Sequence, residues 1–198
     1  MNNEILIWNG IKNNEVDSLK ELYNLYYQDL FNFGKRMTSD EQLIEDALQE
    51  TFISIWKYRQ TSSVPAMVKQ YVYKVFRNQL LLILRKRPVT SYSGELPDFS
   101  VEISFDHKII EGEDAVLLSN QVNIALSKLT SRQREIIYYR FYENLSFDEI
   151  SGIMDMQTRA TYKLLARALA AMKEVLHPMV FAYLFIPVPY NIAFYLPT

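Results

Sequence analysis

Three Ser/Thr-x-x-Glu/Gln tetrads, each just ahead of an apolar stripe, constrain this chain more than any other feature. Ser39 with Gln42, Thr130 with Gln133 and Ser146 with Glu149 have the capping-box form. In that form a hydroxyl and an amide or carboxylate satisfy exposed backbone donors at a helix start. Around them apolar residues recur at steps of three and four, the spacing of one helical face. Val16, Leu19, Leu22, Tyr23, Tyr26, Leu30 and Phe33 mark the first face, within residues 14–37. Leu43, Ala47, Leu48, Phe52, Ile55 and Trp56 mark the second, which ends near Tyr58. Pro65 suits the first turn of a third helix. That helix carries Val68, Val72, Val75, Phe76, Leu80, Ile83 and Leu84 and runs to about Arg87, where Pro88 stops it. Further helices are expected over about 115–128, 130–143, 146–154 and 157–176, with Asn144 as a left-handed stop residue. Gly, which weakens helices, occurs only five times. No stretch predicts a strand, and the expected fold class is all-α.

Charge divides the chain into blocks. Residues 1–90 carry twelve bases and ten acids, and residues 119–198 carry eight bases and six acids. Residues 91–118 carry one base, Lys108, against seven acids. The expected organisation is therefore a helical domain over 1–90, an acidic linker over 91–113, a second helical domain over 114–177 and a tail over 178–198. The tail is uncharged and aromatic. Pro187 and Pro189 interrupt it too early for a membrane span, which needs roughly twenty apolar residues. It is expected to dock on this protein's own surface, as an intramolecular restraint on the second domain or the cleft between domains, or on a partner.

Several chemistries are excluded. There is no Cys, so disulfides, thiolate metal sites and cysteine nucleophiles are absent, in keeping with a reducing cytoplasm. The two histidines, His107 and His177, are too few and too far apart in sequence for a histidine metal site. No glycine-rich phosphate loop or nucleophile elbow occurs. The N-terminus lacks a basic stretch ahead of an apolar run and does not read as a secretory signal. No catalytic residue, metal or cofactor is expected, and the protein is not expected to be an enzyme.

Two features point to nucleic acid. From Thr51 to Gly94 there is no acid, while Lys57, Arg59, Lys69, Lys74, Arg77, Arg85, Lys86 and Arg87 alternate with Trp56, Tyr58, Tyr71, Tyr73 and Phe76. Cations neutralise phosphates, and aromatic rings stack on unpaired bases. The same composition also fits a solvated basic face over an aromatic core. Residues 146–176 have the short-helix, tight-turn, longer-helix order of a helix-turn-helix. On the longer helix Arg159, Lys163 and Arg167 recur at step four, with no acid from Met156 to Lys173. Gln157, Thr158 and Thr161 stand near its start, where base-edge contacts usually fall. A plain helical hairpin is the alternative. A third feature, Asp46, Gln49 and Glu50, forms a polar face at helical spacing. With no nucleophile or further ligand nearby it does not read as acid–base chemistry.

The stretch LYNLYYQDLFNFGKRMTSDEQLIEDALQETFISIW, and within it EDALQETFISIW over 45–56, resembles the extracytoplasmic-function sigma factors. KQYVYKVFRNQLLLILRKR over 69–87 resembles that family's strand-reading helix, with Arg77–Asn78 on its usual Arg-Asn pair. LTSRQREIIYYRFYENLSFDEISGIM over 129–154 is similar to the start of its fourth region. The resemblance implies a dissociable RNA polymerase subunit with two helical domains. Asp46, Gln49 and Glu50 fall where the family binds the clamp helices of the polymerase core, and the flap is a further implied contact. Tyr58, Arg59, Lys69, Tyr71, Tyr73, Lys74, Arg77 and Asn78 fall where it captures and melts the −10 element. The loop 60–65 falls where a flipped base is held. Gln157, Thr158, Arg159, Thr161, Tyr162, Lys163 and Arg167 fall on the −35 recognition helix. Promoter DNA and an anti-sigma factor are the other implied partners, and the cytoplasm is the implied location. Leu82 stands where the family often has an acid. Ala160–Leu164 stand where it usually reads close to Thr-Val-Lys-Ser-Arg. Two competing readings are an ordinary helix-turn-helix regulator, which would bind operators as a symmetric dimer without polymerase, and a helical interaction protein with no DNA role.

Overall fold

The structure, a computed structural model, describes residues 3–86, 99–101 and 113–185. The described residues are helices and their connections, with no strand among them. They form two compact units, one built on the N-terminal helices and taking in the short piece Ser151–Met156, the other built from Phe99–Ile150 and Gln157 onward.

The first unit contains α1 (Asn3–Lys12), α2 (Val16–Lys35), α3 (Glu41–Tyr58) and α4 (Val68–Arg85). The stripes meet as their periodicity requires. Leu22, Tyr26, Leu30 and Phe33 of α2 are buried with Ile44, Ala47, Leu48 and Ile55 of α3 and Val72, Phe76, Leu80 and Leu84 of α4. Each large apolar side chain among them contributes about 1.5–3 kcal/mol by leaving water. Gly34 allows the close approach: a Cβ there would stand 2.7 Å from Ile44 Cγ2 and 3.3 Å from Phe76 Cζ. The α3 cap differs from the expectation by one residue. Asp40, not Ser39, is the N-cap, its carboxylate accepting from the Leu43 amide at 3.4 Å. The third expected helix also starts later, at Val68, so Pro65 lies in the preceding loop. Met67 is the N-cap, in extended backbone at φ −134° and ψ 105°, so the helical turn expected to open at Pro65 does not form. No sequence pattern signals helix α1, yet it buries Ile7, Trp8 and Ile11.

The second unit contains α5 (Glu113–Ser127), α6 (Ser131–Ile137), a π-helical segment (Tyr138–Tyr142), α7 (Phe147–Ile153) as far as Ile150, α8 (Thr158–Val175) and α9 (Pro178–Phe185). Thr130 and Gln133 form the expected reciprocal box at the start of α6. Ser146 and Glu149 do so ahead of α7, with Ser146 N–H donating to Glu149 Oε2 at 2.8 Å and Glu149 N–H to Ser146 Oγ at 3.3 Å. The expected helix over 130–143 is not uniform. It widens at Tyr138, where Glu143 N–H donates to Tyr138 O at 3.1 Å. Tyr138 and Tyr142 stack at 4.7 Å there, and Tyr138 Oη donates to Glu143 Oε1 at 2.8 Å. Asn144 then ends the helix at φ 53°, the left-handed stop expected of it.

Phe99, from the acidic stretch, is a core residue of this unit. Its ring is buried edge-on to Tyr138 at 5.6 Å, its amide donates to Ser131 Oγ at 3.0 Å, and the Arg134 guanidinium donates to its carbonyl. The same guanidinium donates to Leu129 O at 2.6 Å, so Arg134 joins this anchor to the end of α5. Of the tail, the part as far as Phe185 is helical, and α9 follows α8 after the buried Leu176. Residues 186–198 of the tail expectation, 87–90 of the first-domain expectation, and 91–98 and 102–112 of the linker expectation lie outside the described residues.

Candidate nucleic-acid interface

The −10 candidates lie at the end of α3, in the loop after it and on α4. Tyr58, the last residue of α3, is half exposed, and the Lys57 ammonium lies 5.4 Å from its ring centre. Arg59 follows it and stacks on Trp56 at 4.0 Å, its guanidinium also donating to Trp56 O. The loop returns on itself through Thr61 N–H and Ser62 N–H, which donate to Tyr58 O at 3.1 and 2.9 Å. Beyond that turn Ser63, Val64, Ala66 and Met67 are exposed. On α4 Lys69, Tyr71 and Lys74 are half-buried and Asn78 is exposed. Tyr71 meets Trp8 of α1 edge-on at 5.1 Å, and burial pushes its hydroxyl above the usual tyrosine range.

Two −10 candidates are not on this surface. Tyr73 is fully buried against Phe33 at 5.8 Å, and Arg77 is 7% exposed. The α4 periodicity explains this. Val72, Tyr73, Phe76, Arg77 and Leu80 share the inward side at steps of one, three and four, and composition does not distinguish a core tyrosine from a stacking one. Neither side chain offers a flat face to a base in this conformation.

On α8, Arg159, Tyr162, Lys163 and Arg167 are exposed, as is Gln157 just ahead of it, while Leu165, Ala168 and Met172 turn inward. Thr161 belongs to the inward set. It is fully buried and its hydroxyl donates back to Gln157 O at 3.3 Å, so it is a packing residue and not a base contact. Thr158 is half-buried and donates to Asp148 Oδ1 at 3.1 Å, tying the start of α8 to α7. Tyr162 stacks on Phe147 at 3.7 Å, and the Arg140 guanidinium stands 5.3 Å from the Phe147 ring. That stack joins the two helices of the motif and occupies one ring face, while Tyr162 remains half exposed.

Asp46, Gln49 and Glu50 are all exposed on α3. Beside them lies an apolar groove of about 660 Å³ between α2 and α3, lined by Val16, Leu19, Tyr23, Phe52, Ile53 and Trp56, with Asp46 and Gln49 on its wall. The polar face is legible from spacing. The groove is not, because Val16 and Tyr23 read as ordinary stripe members yet stay exposed at 65% and 36%. At its edge Tyr27 donates to Glu45 at 2.6 Å; that bond first, then burial and the Glu45 charge, pushes the Tyr27 hydroxyl up to about 12. Among the described residues there is no group of three or more potential metal ligands, and no helix is long and apolar enough to cross a membrane.

One unit carries aromatic and cationic side chains around a loop, and the other a helix-turn-helix whose second helix bears an exposed cationic row, the arrangement of a nucleic-acid-binding class of protein. Comparison with known proteins gives the class its family. The sigma-70 region 2 family model matches residues 22–88, and the sigma-70 region 4 model matches residues 120–172, together more than half of the chain. The chain is 26% identical to the ECF RNA polymerase sigma factor SigM of Bacillus subtilis (strain 168) over 160 residues, covering 80% of this chain and 94% of the relative. It is 21% identical to SigW of the same organism over 176 residues, covering 85% and 94%. Its fold is similar to that of CnrH, solved in complex with the cytosolic domain of CnrY, with a TM-score of 0.61 at 15% identity over 87% of this chain and 96% of that one. It is also similar to that of RpoE from Bartonella quintana, solved with the anti-sigma factor NepR, with a TM-score of 0.53 at 20% identity over 79% and 94%. The chain belongs to the sigma-70 family of RNA polymerase sigma factors, in its extracytoplasmic-function group. Its function is that of such a factor, recognising promoters for RNA polymerase at transcription initiation.

Proposed function

We propose a division of that function among three surfaces. Asp46, Gln49 and Glu50, with the adjoining apolar groove, dock the clamp helices of the polymerase core, and the second unit meets the flap. Tyr58, Arg59, Lys69, Tyr71, Lys74 and Asn78, with the loop 60–65, capture the −10 strand, while Tyr73 and Arg77 act from the core behind them. Arg159, Lys163 and Arg167 engage the −35 duplex, Gln157 and Tyr162 reach base edges, and Thr158 and Thr161 brace the helix. The corresponding domains are 1–90 and 114–177, joined by the acidic 91–113, whose Phe99 packs into the second, and followed by the tail 178–198. The protein works in the cytoplasm as a non-enzymatic subunit, and an anti-sigma factor restrains it, as the partners of CnrH and RpoE in their solved complexes suggest.

The observation that carries this reading is the exposed row Arg159, Lys163 and Arg167 on the second helix of a helix-turn-helix, in a stretch free of acids. Promoter opening needs no hydrolysis under this scheme. Separating a base step costs on the order of 1–2 kcal/mol, and stacking a captured base on an aromatic side chain returns roughly 1–3 kcal/mol. Each unit binds weakly by itself; linked and held on polymerase, they gain by effective concentration. Run-off transcription with core polymerase and a promoter library tests the scheme. Enrichment of one −35/−10 pair is expected. Failure of the protein to associate with core, or to start RNA synthesis from any template, contradicts it.

A further inference from the structure

The loop proposed to hold a flipped base is not supported by its own helices alone. Four hydrogen bonds tie it to the turn between α1 and α2, some 45 to 50 residues earlier in the chain. The Lys12 ammonium donates to Ser62 O at 2.7 Å. Gln60 Nε2 donates to Lys12 O at 2.6 Å and to Asn14 Oδ1 at 3.3 Å. Arg59 Nε donates to Asn14 Oδ1 at 2.8 Å while its guanidinium lies on Trp56. Asn14 itself sits in the left-handed region, at φ 67°, in the turn that ends α1. Asn and Gly adopt such a conformation at little cost, and other side chains avoid it.

We infer that the α1–α2 turn, through Lys12 and Asn14, is a positioning element for −10 strand capture: it fixes the start of the loop so that Ser63–Met67 are ordered before the strand arrives. The inference rests on the proposed role of that loop. Arg59, which the charge pattern assigns to nucleic acid, is thereby given a second task, and Lys12 shares it. Their donors are directed at carbonyl and amide oxygens of the protein, and the hydrogen bonds suppress the loop's alternative conformations. A loop ordered before it meets the strand loses less freedom on binding, so preorganisation raises affinity without any new DNA contact. Asn14, exposed and remote in sequence from both DNA motifs, is the residue whose side-chain oxygen serves two of the four bonds.

The test uses holoenzyme assembled from the full chain and core polymerase. The probe is the labelled non-template −10 strand of the promoter selected in the run-off experiment. Asn14→Gly keeps the left-handed backbone and removes the acceptor; Asn14→Asp keeps an acceptor facing Arg59. Asn14→Gly is expected to weaken strand binding about tenfold, the effect of removing one charge-assisted hydrogen bond. Asn14→Asp should bind close to wild type, and Lys12→Met should fall between the two. Core affinity should stay unchanged in all three, while melting temperature falls by no more than the lost loop hydrogen bonds account for; a merely structural role would weaken core binding together with strand binding. Wild-type strand binding by Asn14→Gly, or equal weakness of Asn14→Asp, overturns the inference. A separate variant, Ser63→Gly with Val64→Gly and Pro65→Gly, examines the loop's own role. If it too leaves strand binding intact, the loop does not hold the strand and the underlying reading fails first.

Discussion

The two surfaces proposed to face DNA use their cations differently. In the first unit Arg59 and Lys12 direct their donors at the protein, at Trp56 O, Asn14 Oδ1 and Ser62 O. In the second, Arg159 and Lys163 stand exposed on α8, and Arg167 is exposed with one donor turned back to Lys163 O. A surface of the first kind holds a shape, and one of the second kind presents charge. This suits what each is proposed to recognise. An opened strand has no fixed form and needs a shaped receptor, while a duplex is rigid and strongly charged and is met by a helix with an exposed cationic row.

The contrast can be broken at several points. The largest expected effect is on the fold of the second unit. Phe99→Ala should destabilise it by about 3–5 kcal/mol, because a buried aromatic ring is replaced by a cavity. Scanning calorimetry should show the change in one transition, with the first unit's transition unmoved; equal destabilisation of both would mean the anchor is not local. Next comes the α8 row. Replacing Arg159, Lys163 and Arg167 by Ala should lower the slope of log affinity against log salt by about 0.9 for each phosphate no longer neutralised. If Asn14→Gly changes that slope equally, the distinction between shape and charge fails.

Two smaller effects concern how the surfaces are held. Asn144→Ala, at φ 53°, should cost about 1–2 kcal/mol in urea unfolding, whereas Asn144→Gly should be nearly neutral. The smallest effect is at the groove. With the Tyr27 hydroxyl raised from 10.0 to about 12 by its bond to Glu45, the folded state keeps a proton that the unfolded chain releases between those values. The stabilisation is therefore fully present below pH 10 and lost as pH rises toward 12. It should not exceed about 1 kcal/mol, given the partly exposed setting. Tyr27→Phe should differ from wild type at neutral pH, and the difference should vanish across that window.

Much of the fold is legible in sequence where the signal is local. The boxes at Thr130 and Ser146 and the stop at Asn144 form as their residues predict, since cap and helix lie within a few residues of each other. Asp40 displaces Ser39 because adjacent residues are both competent caps. What escapes is non-local. Helix α1 has no capping tetrad ahead of it and is held by burying Trp8 against Tyr71 of α4. Phe99 is one of three aromatics in the acidic stretch 91–113, with nothing in the sequence nearby to mark it as core. The widening at Tyr138 accompanies a stack and a side-chain bond that no periodicity reports. At the site, helical spacing places Arg159, Lys163 and Arg167 on one exposed row, but it does not tell Tyr73 and Thr161 from surface residues without the packing around them.

The separation of tasks is tested most directly by measuring two signals on one promoter with saturating holoenzyme. Salt-dependent binding reports the −35 contact, and fluorescence of a 2-aminopurine base in the −10 element reports opening. The α8 triple Ala variant should show weaker salt dependence and keep its open fraction at saturation. Asn14→Gly should keep the salt dependence and show a smaller open fraction. If both signals fall together in either variant, the two surfaces are not independent, which contradicts the division between a shaped receptor and a charged one.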